Sequence, residues 1–230
     1  MLPTGQRPIQ VTAATLAVLG LVSAGCAASP SPQASGEGAA ATTSASAGAS
    51  AATAGTQPLK PGSLAAGTRY VFESFGLSLQ PDVDGWLAIM PAGGDARIGR
   101  EGVTVYFMAP MTIIAPEGGP PVVAPSDPAA LLDAVDATPI VAVVDSKPFE
   151  ADGLTGLSAI LSASRGSAET PLLTTKSGEY GLVNGKGQWI VLEIEGRPIV
   201  LSIERPDAPD VDAAWEIAGP LVESLQAAGS

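Results

Sequence analysis

The sequence predicts an α+β fold, a mostly antiparallel sheet with helices on one face, preceded by a disordered N-terminal tether. Short runs of alternating apolar and polar residues, separated by glycine and proline turns, recur from residue 62 onward and are typical of antiparallel strands. Two segments with helical spacing, near residues 128–135 and 211–225, interrupt and end that series. We therefore divide the chain into a segment 1–25, a linker 26–61 and a folded domain 62–230.

The first 25 residues have the features of an export signal. Arg7 and the amino terminus make the start positive, and Val11–Val22 is apolar or small throughout. This run of about a dozen residues is shorter than the roughly 20 that a membrane-spanning helix needs. We therefore expect a signal peptide that is cleaved between Gly25 and Cys26.

The end of this segment resembles the lipobox of bacterial lipoproteins. Ala24 and Gly25 precede Cys26 as that pattern requires, although Ser23 stands where leucine is preferred. The resemblance implies a diacylglycerol on the Cys26 sulfur, and two acyl chains anchor a protein firmly where one is marginal. We therefore expect a lipid anchor to the cell membrane, with the domain on its extracytoplasmic face.

Residues 26–61 are rich in alanine, serine, glycine and proline and contain almost no large apolar side chain. Such a segment cannot bury enough surface to offset the entropy of ordering it. As a flexible coil of about 34 residues it would reach roughly 30 Å from the membrane. A plain linker is the favoured interpretation, with a glycosylated Ser/Thr stalk as the alternative.

The exported part is acidic and has no histidine. Removing residues 1–25, which hold Arg7 and no acid, leaves ten basic and 23 acidic residues, a formal charge of −13. A negative surface argues against nucleic acid as a partner and against anionic lipid head groups. A single cysteine and no histidine exclude an intramolecular disulfide, a Ser-His-Asp or Cys-His mechanism, and the usual zinc and copper sites. We expect no cofactor, no metal and no catalytic residue.

The first two thirds of the domain hold most of the predicted strands. Strands are predicted at Tyr70–Leu79, Trp86–Ile89, Val103–Met108, Met111–Ile114, Ile140–Val144 and Leu154–Ala163. Turns are predicted at Pro81–Gly85, Gly93–Asp95 and Asp152-Gly153, and loops at Pro116–Pro125 and Ala168–Gly178. A helix is predicted to start at Pro128, capped by Ser126 or Asp127, with Leu131, Leu132 and Val135 on its apolar face.

The last third predicts a tight turn at Asn184-Gly185, a β-hairpin and a helix. The hairpin turns at Gly196–Pro198, and its predicted apolar face consists of Ile190, Leu192, Ile194, Ile199, Leu201 and Ile203. Its other face is mostly polar, as in a sheet covered on one side. The helix is predicted to be capped by Asp210, to kink or split at Gly219-Pro220, and to pack through Val211, Trp215, Ala218, Val222 and Leu225.

Short motifs in the domain give a family resemblance over roughly residues 69–226. Gly85-Trp86, the Asp-Pro-x-x-Leu-Leu segment Asp127–Leu132 and the Gly-Leu-x-Gly turn Gly153–Gly156 precede the terminal hairpin and helix. Together they resemble a group of actinobacterial lipoproteins, and the hairpin with its helix is similar to PsbP-like domains. That group has no assigned enzymatic activity, so the resemblance implies an architecture rather than a reaction.

Three other patterns are favoured as structural. Lys176-Ser177-Gly178 resembles the Lys-Thr-Gly element of penicillin-recognising enzymes, but no serine has a lysine three residues later. Two sets of aspartates are candidate calcium ligands: Asp207, Asp210 and Asp212, and separately Asp82 and Asp84. Calcium needs six or more oxygens in a shaped loop. Helix capping and turn formation explain these aspartates more simply.

Carboxylates and tryptophans remain as candidate functional side chains. Glu193 and Glu195 are predicted to share a strand face with Glu204 across the hairpin, as a glycosidase pair would, although a solvated face is the favoured interpretation. Trp86 and Trp189 are the candidate ligand or partner contacts.

The leading hypothesis is a tethered, non-enzymatic binding or interaction module for a protein, an envelope component or an apolar ligand. The alternatives are a lipid or glycolipid carrier with an apolar cavity, and a hydrolase of envelope glycans that uses carboxylates alone.

Overall fold

The computed structural model describes residues 55–90, 93–115, 119–164, 171–208 and 210–229. The predicted signal peptide, Cys26 and most of the predicted linker lie outside these residues. Within the described ranges the chain forms sixteen strands and two α-helices, and all strand pairs except β1 with β3 are antiparallel. The prediction of a mostly antiparallel α+β fold is confirmed.

The elements follow one another along the chain without a long helical segment. The strands are β1 (Thr56–Pro58), β2 (Gly62–Leu64), β3 (Arg69–Phe72), β4 (Leu77–Leu79), β5 (Trp86–Ile89), β6 (Ala96–Arg100), β7 (Val103–Met108), β8 (Thr112–Ile113), β9 (Val122–Val123), β10 (Val141–Ala151), β11 (Leu154–Ala163), β12 (Leu173–Thr175), β13 (Gly178–Tyr180), β14 (Lys186–Ile194), β15 (Arg197–Glu204) and β16 (Gln226–Ala227). The helices are α1 (Pro128–Asp136) and α2 (Val211–Glu223), and a 3-10 turn occupies Val183–Gly185. No helix among the described residues is long and apolar enough to span a membrane.

The strands form three sheets. The central sheet has eight strands in the order β10-β11-β14-β15-β7-β6-β5-β2. The first small sheet has the order β1-β3-β4-β16, and the second small sheet has the order β13-β12-β8-β9. The β14–β15 hairpin lies in the middle of the central sheet, so both of its faces are available for packing.

The two helices pack on opposite faces of the central sheet, which corrects the prediction that helices lie on one face. Ile190 and Leu192 of β14 lie in one core with Ala218 and Val222 of α2. The intervening residue Val191 lies in a second core with α1. Because successive side chains of a strand point to opposite faces, this alternation places α2 on one face and α1 on the other.

Each face carries one helix and one small sheet. The core on the α2 face includes Phe72, Leu77 and Leu79 of the first small sheet. The core on the α1 face includes Ile113 and Leu173 of the second small sheet. The hairpin face predicted to be mostly polar is therefore buried, because Trp189, Val191 and Val200 supply enough apolar surface for a second core.

Both helix starts are confirmed. Asp127 accepts a hydrogen bond from the Ala130 amide and caps α1, whose first residue is Pro128. Asp210 accepts one from the Ala213 amide and caps α2. These side chains satisfy amide groups that have no partner within the helix.

The last helix differs from the prediction in two respects. It continues as one helix through Gly219-Pro220. Trp215 is only partly buried at the edge of the core, while Ala214 and Leu221 take the buried positions beside Ala218. A Cβ on Gly219 would lie 3.0 Å from the Trp215 Nε1, so this glycine makes room for the indole.

Several strand boundaries also differ. β1 (Thr56–Pro58) lies within the segment predicted to be linker and pairs with β3. The predicted strand 70–79 is two strands, β3 and β4, and the predicted loop 168–178 contains β12 and the start of β13. The predicted strand 140–144 is the start of β10, which continues to Ala151.

Two separate structural constraints explain the two glycines of the Gly153–Gly156 motif. Asp152 and Gly153 form the tight turn between β10 and β11, with φ of 38° and 82°. Gly156 lies within β11, opposite Leu192 of β14. A Cβ at Gly156 would overlap the Val191 carbonyl oxygen and lie 2.8 Å from the Leu192 Cδ2.

We predict that Gly156→Ala lowers the free energy of unfolding by about 1–3 kcal/mol, because the added methyl forces two central strands apart. Urea denaturation followed by tryptophan fluorescence measures this, since Trp86 and Trp189 are buried. Gly99→Ala is the matched control: it adds the same methyl to a central strand, where the nearest atom is 3.5 Å away. Equal midpoints for Gly156→Ala and the unaltered chain would contradict the overlap.

Candidate functional site

The two tryptophans singled out by the sequence are wholly buried. Trp86 lies in the core on the α2 face and Trp189 in the core on the α1 face, each with 0% of its surface exposed. Both occupy inward-facing strand positions, where a large ring fills core volume. This burial corrects the expectation that they contact a ligand or partner. The predicted lipidation and cleavage residues, Cys26 and Gly25, lie outside the described residues.

The three carboxylates predicted to share a face do not form a pair. Glu195 lies in the β14–β15 turn with φ of 53° and forms an exposed ion pair with Arg197. Glu193 and Glu204 are on the same face, but they lie near opposite ends of the hairpin. Since Glu193 is opposite Pro198, six residues from Glu204, their separation along the strands is about 20 Å. A glycosidase pair needs roughly 5–9.5 Å.

The aspartate clusters have structural partners. Asp210 caps α2, and Asp84 accepts a hydrogen bond from the Ala66 amide at 2.8 Å. Among the described residues, no group of three or more potential metal-ligand side chains comes together.

Turns from all three sheets meet in one pocket of about 220 Å³, which we call the junction pocket. The β3–β4 turn comes from the first small sheet, and the β12–β13 turn comes from the second. The central sheet supplies the β5–β6 turn, the end of β7 and the start of β15. The lining residues are Ser74, Phe75, Gly93, Gly94, Asp95, Ala109, Pro110, Met111, Lys176, Arg197 and Pro198.

The walls of the junction pocket combine apolar and cationic side chains. Phe75 and Pro110 are buried, and Met111 is 51% exposed. Lys176 comes from the β12–β13 turn and Arg197 from the start of β15. A few charged groups on a largely apolar surface are typical of small-molecule sites.

Hydrogen bonds between turns fix the mouth of this pocket. The Thr175 hydroxyl donates to the Asp95 carboxylate at 2.5 Å, and the Asp95 amide donates to the Ser177 hydroxyl at 3.3 Å. The Ser74 hydroxyl donates to the Gly94 carbonyl at 3.4 Å. These bonds join turns from three sheets, so the pocket is formed before any ligand arrives.

Gly93 makes the closest approach between two of these turns. Its φ is 108°, and a Cβ there would lie 2.6 Å from the Ser177 Oγ and 2.7 Å from the Ser177 Cα. Any side chain at this position would therefore push the β12–β13 turn, with Lys176, away from the β5–β6 turn. The predicted turn at 93–95 is confirmed, and its glycine has a packing reason.

A second, wider groove of about 480 Å³ crosses the uncovered end of the α1 face. Leu87 and Ile89 are 48% and 45% exposed there, beside Tyr106 and Arg97. Its other cation, Arg100, forms an ion pair with Glu101 at 2.6 Å. This groove is formed by one sheet and its adjoining turns, and thus lacks the converging walls of the junction pocket.

Glu204 pairs with Thr104 of that groove and is buried, with 1% of its surface exposed. Its carboxyl group accepts hydrogen bonds from the Tyr180 hydroxyl, the Ser202 hydroxyl at 2.8 Å and the Val183 amide at 2.9 Å. Tyr180 belongs to β13 and Val183 to the 3-10 turn, so the carboxyl group ties both to β15. We call this set the Glu204 cluster.

Burial dominates the electrostatics of the Glu204 cluster. It raises the pKa of Glu204 to about 8, although the hydrogen bond from Val183 opposes the rise. Burial also raises the pKa of the Tyr106 hydroxyl, the nearby Glu204 carboxylate adds to the rise, and the Arg97 guanidinium opposes it. Glu204 is therefore largely protonated at neutral pH.

The sequence gives only weak signals that Lys176, Arg197 and Glu204 belong to these two sites. Lys176 belongs to a tripeptide that resembles an unrelated enzyme motif, and Arg197 belongs to a predicted turn. One signal for Glu204 exists: it shares its strand face with Val200, and valines on the supposedly polar face indicate a strand buried on both sides. No local pattern indicates that Lys176 and Arg197 meet.

We predict that Glu204→Gln removes a pH dependence of folding stability. The folded pKa of Glu204 is about 8, above its ordinary value of 4.5, so the contribution of Glu204 to the free energy of unfolding is largest below pH 4.5 and falls as the pH rises towards 8. The slope is about 1.4 kcal/mol per pH unit. Glutamine can donate to Tyr180 and Ser202 while accepting from Val183, so the variant should keep the fold.

The measurement is the urea midpoint at several pH values between 5 and 9. The variant should gain stability relative to the unaltered chain as the pH rises, and the difference should level off above pH 8. Glu193→Gln removes an exposed carboxylate from the same hairpin and should leave the slope unchanged. Parallel curves for Glu204→Gln and the unaltered chain would show that Glu204 is not buried as described.

Comparison with known proteins finds a similar solved structure and no matching family. No family model matches the chain, and no curated protein matches it. Among solved structures, the solution structure of cyanobacterial PsbP (CyanoP) from Synechocystis is similar over 70% of this chain and 91% of that chain. The TM-score is 0.34 and the sequence identity is 11%. This similarity is too low to assign the chain to the PsbP family.

Proposed function

We propose that this chain is an extracytoplasmic lipoprotein, anchored through lipid on Cys26, whose domain is a non-enzymatic binding module. The apolar segment Val11–Val22 followed by Ala24-Gly25-Cys26 supports export and lipidation. The resemblance of the domain motifs to actinobacterial lipoproteins points in the same direction. In this proposal, the linker predicted over residues 26–61 connects the membrane to the domain.

The observation that carries the binding function is the junction pocket. Turns from three sheets build it, hydrogen bonds between those turns hold it open, and charged side chains stand beside apolar ones in its wall. Loops placed by a rigid scaffold are where binding residues concentrate. We therefore place ligand binding at this end of the central sheet.

The two alternative functions have less support. A carrier of long-chain lipids needs an enclosed apolar cavity, whereas Val, Ile and Leu side chains fill both cores and the junction pocket measures about 220 Å³. A carboxylate hydrolase needs two facing acids, whereas Glu193 and Glu204 lie near opposite ends of the hairpin. A binding module requires neither feature.

We predict that Cys26→Ser abolishes lipidation. Cells grown with a labelled fatty acid should incorporate the label into the unaltered chain, because the cysteine sulfur is the acceptor, and the variant should carry none. The variant should also appear in the soluble fraction rather than in the membrane. Equal labelling of both chains would rule out the lipoprotein part of the proposal.

We predict that Ala109→Phe blocks binding, because the added ring fills the wall of the junction pocket. The protein is purified from membranes, and the small molecules released on denaturation are identified by mass spectrometry. A species bound by the unaltered chain should be absent from Ala109→Phe. Ala142→Phe makes the same change at an exposed position of β10 and should retain the species. If Ala109→Phe retained the bound species, the binding site would lie outside the junction pocket.

A further inference from the structure

We infer that the junction pocket binds a small amphiphilic anion, a carboxylate or phosphate monoester on a short apolar chain. This inference rests on the proposed binding function and adds the chemical class of the ligand. It follows from two cations in the pocket wall, from the contacts that already engage the acids Asp95 and Glu195, and from the apolar surface and volume of the pocket.

Lys176 supplies the first cation. It lies at the tip of the β12–β13 turn, and among the described residues it has neither an ion pair nor a hydrogen bond. The turn itself is held by the bonds of Thr175 and Ser177 to Asp95. A fixed backbone thus presents an uncompensated ammonium group at the pocket, in an exported chain whose formal charge is −13.

Arg197 supplies the second cation from a different sheet. One guanidinium nitrogen contacts the Glu195 carboxylate at 3.3 Å, and the other donates to the Ser74 carbonyl at 3.4 Å, which holds the side chain at the pocket wall. The Arg197 and Glu195 side chains are well exposed, at 47% and 76%. An exposed ion pair of this kind is weak, so a ligand anion can replace Glu195 at little cost. Arginine also presents two parallel donors, which match the oxygens of a carboxylate or phosphate.

Asp95 is the acid in the pocket wall, and one of its oxygens is already engaged. Its Oδ2 accepts the hydrogen bond from the Thr175 hydroxyl at 2.5 Å. Asp95 thereby helps to position the β12–β13 turn. With Glu195 displaced, the two cations outweigh this single carboxylate at the site.

The remaining wall explains why the ligand carries an apolar part. Phe75, Ala109, Pro110, Met111 and Pro198 contribute mostly carbon surface. A bare inorganic ion would leave this surface in water, whereas a short alkyl or aryl group would cover it. A volume of about 220 Å³ suits a short chain and not a two-chain lipid, so we assign a soluble ligand rather than a membrane head group.

The test uses octanoate as the probe and the Met111 methyl group as the reporter. The chain carries Cys26→Ser so that no detergent is needed, and methionine methyl signals are recorded by NMR during titration. Octanoate and octyl phosphate should shift Met111, which lines the pocket, and leave the buried Met108 unchanged. Octyltrimethylammonium has the same chain with the opposite charge and should bind at least tenfold more weakly, as should inorganic phosphate.

Variants that remove a positive charge test whether the anion binds at Lys176 and Arg197. Lys176→Gln combined with Arg197→Gln should weaken octanoate binding about tenfold or more. Lys147→Gln removes a lysine from exposed strand β10 and should leave the affinity unchanged. Equal binding of octanoate and octyltrimethylammonium, or an unaltered affinity in the double variant, would overturn the inference. So would binding to phosphatidylglycerol vesicles in the absence of octanoate binding, which would indicate a membrane ligand.

Failure of this inference is distinguishable from failure of the proposed function. If Ala109→Phe loses a natural small molecule while octanoate does not shift Met111, the binding function stands and the anion assignment is wrong. If octanoate binds through Lys176 and Arg197, the anion assignment stands whatever co-purifies with the chain.

Discussion

The burial of the β14–β15 hairpin on both faces is the constraint on which the rest of the structure depends. Ile190, Leu192 and Leu201 form one wall of the core beneath α2, while Val191 and Val200 form a wall of the core beneath α1. A strand pair with apolar side chains on both faces must be covered on both faces. The two helices and the two small sheets therefore divide between opposite faces of the central sheet, and their turns meet at its end.

Because the hairpin is buried on both faces, its polar side chains also need hydrogen-bond partners inside the protein. Ser202 and Glu204 lie on the face shared with Val200 and have almost no exposed surface. A buried polar group without partners is costly, so each must find hydrogen bonds inside the protein. They find them in Tyr180 and Val183, which belong to β13 and to the 3-10 turn that follows it. The burial that raises the pKa of Glu204 thus also supplies a specific attachment for β13.

Local patterns in the sequence predict the elements well and their assembly poorly. The bounds of Trp86–Ile89, Val103–Met108 and Leu154–Ala163 agree with the structure, because alternation and flanking turns are properties of the nearest residues. The side of the sheet on which α1 packs depends instead on Val191 and Val200, which resemble exceptions on a polar face. The junction pocket is harder still to predict, since Asp95 and Ser177 are separated by 82 residues. No sequence pattern in either turn indicates that the two turns are in contact.

The Glu204 cluster and the junction pocket are connected by one hairpin. Tyr180 is paired with Leu173 at one end of β12–β13, and Lys176 and Ser177 form the turn at the other end. Tyr180 is attached to Glu204, while the turn is attached to Asp95 and pressed against Gly93. The hairpin is only three residue pairs long, about 10 Å, so it links the Glu204 cluster directly to the turn at the junction pocket.

The turn that carries Lys176 is therefore linked to the Glu204 cluster through β13 as well as to Asp95 through its own hydrogen bonds. With Glu204 protonated, its O–H can donate to the Tyr180 oxygen while the Tyr180 hydroxyl donates to Ser202, so the site holds no net buried charge. Above a pH of about 8 the same site holds a buried carboxylate, whose desolvation favours opening of the cluster. Loss of these bonds would free β13, which is continuous with the turn that carries Lys176, so the polar group that secures the fold also bears on the pH range over which the pocket keeps its cationic wall.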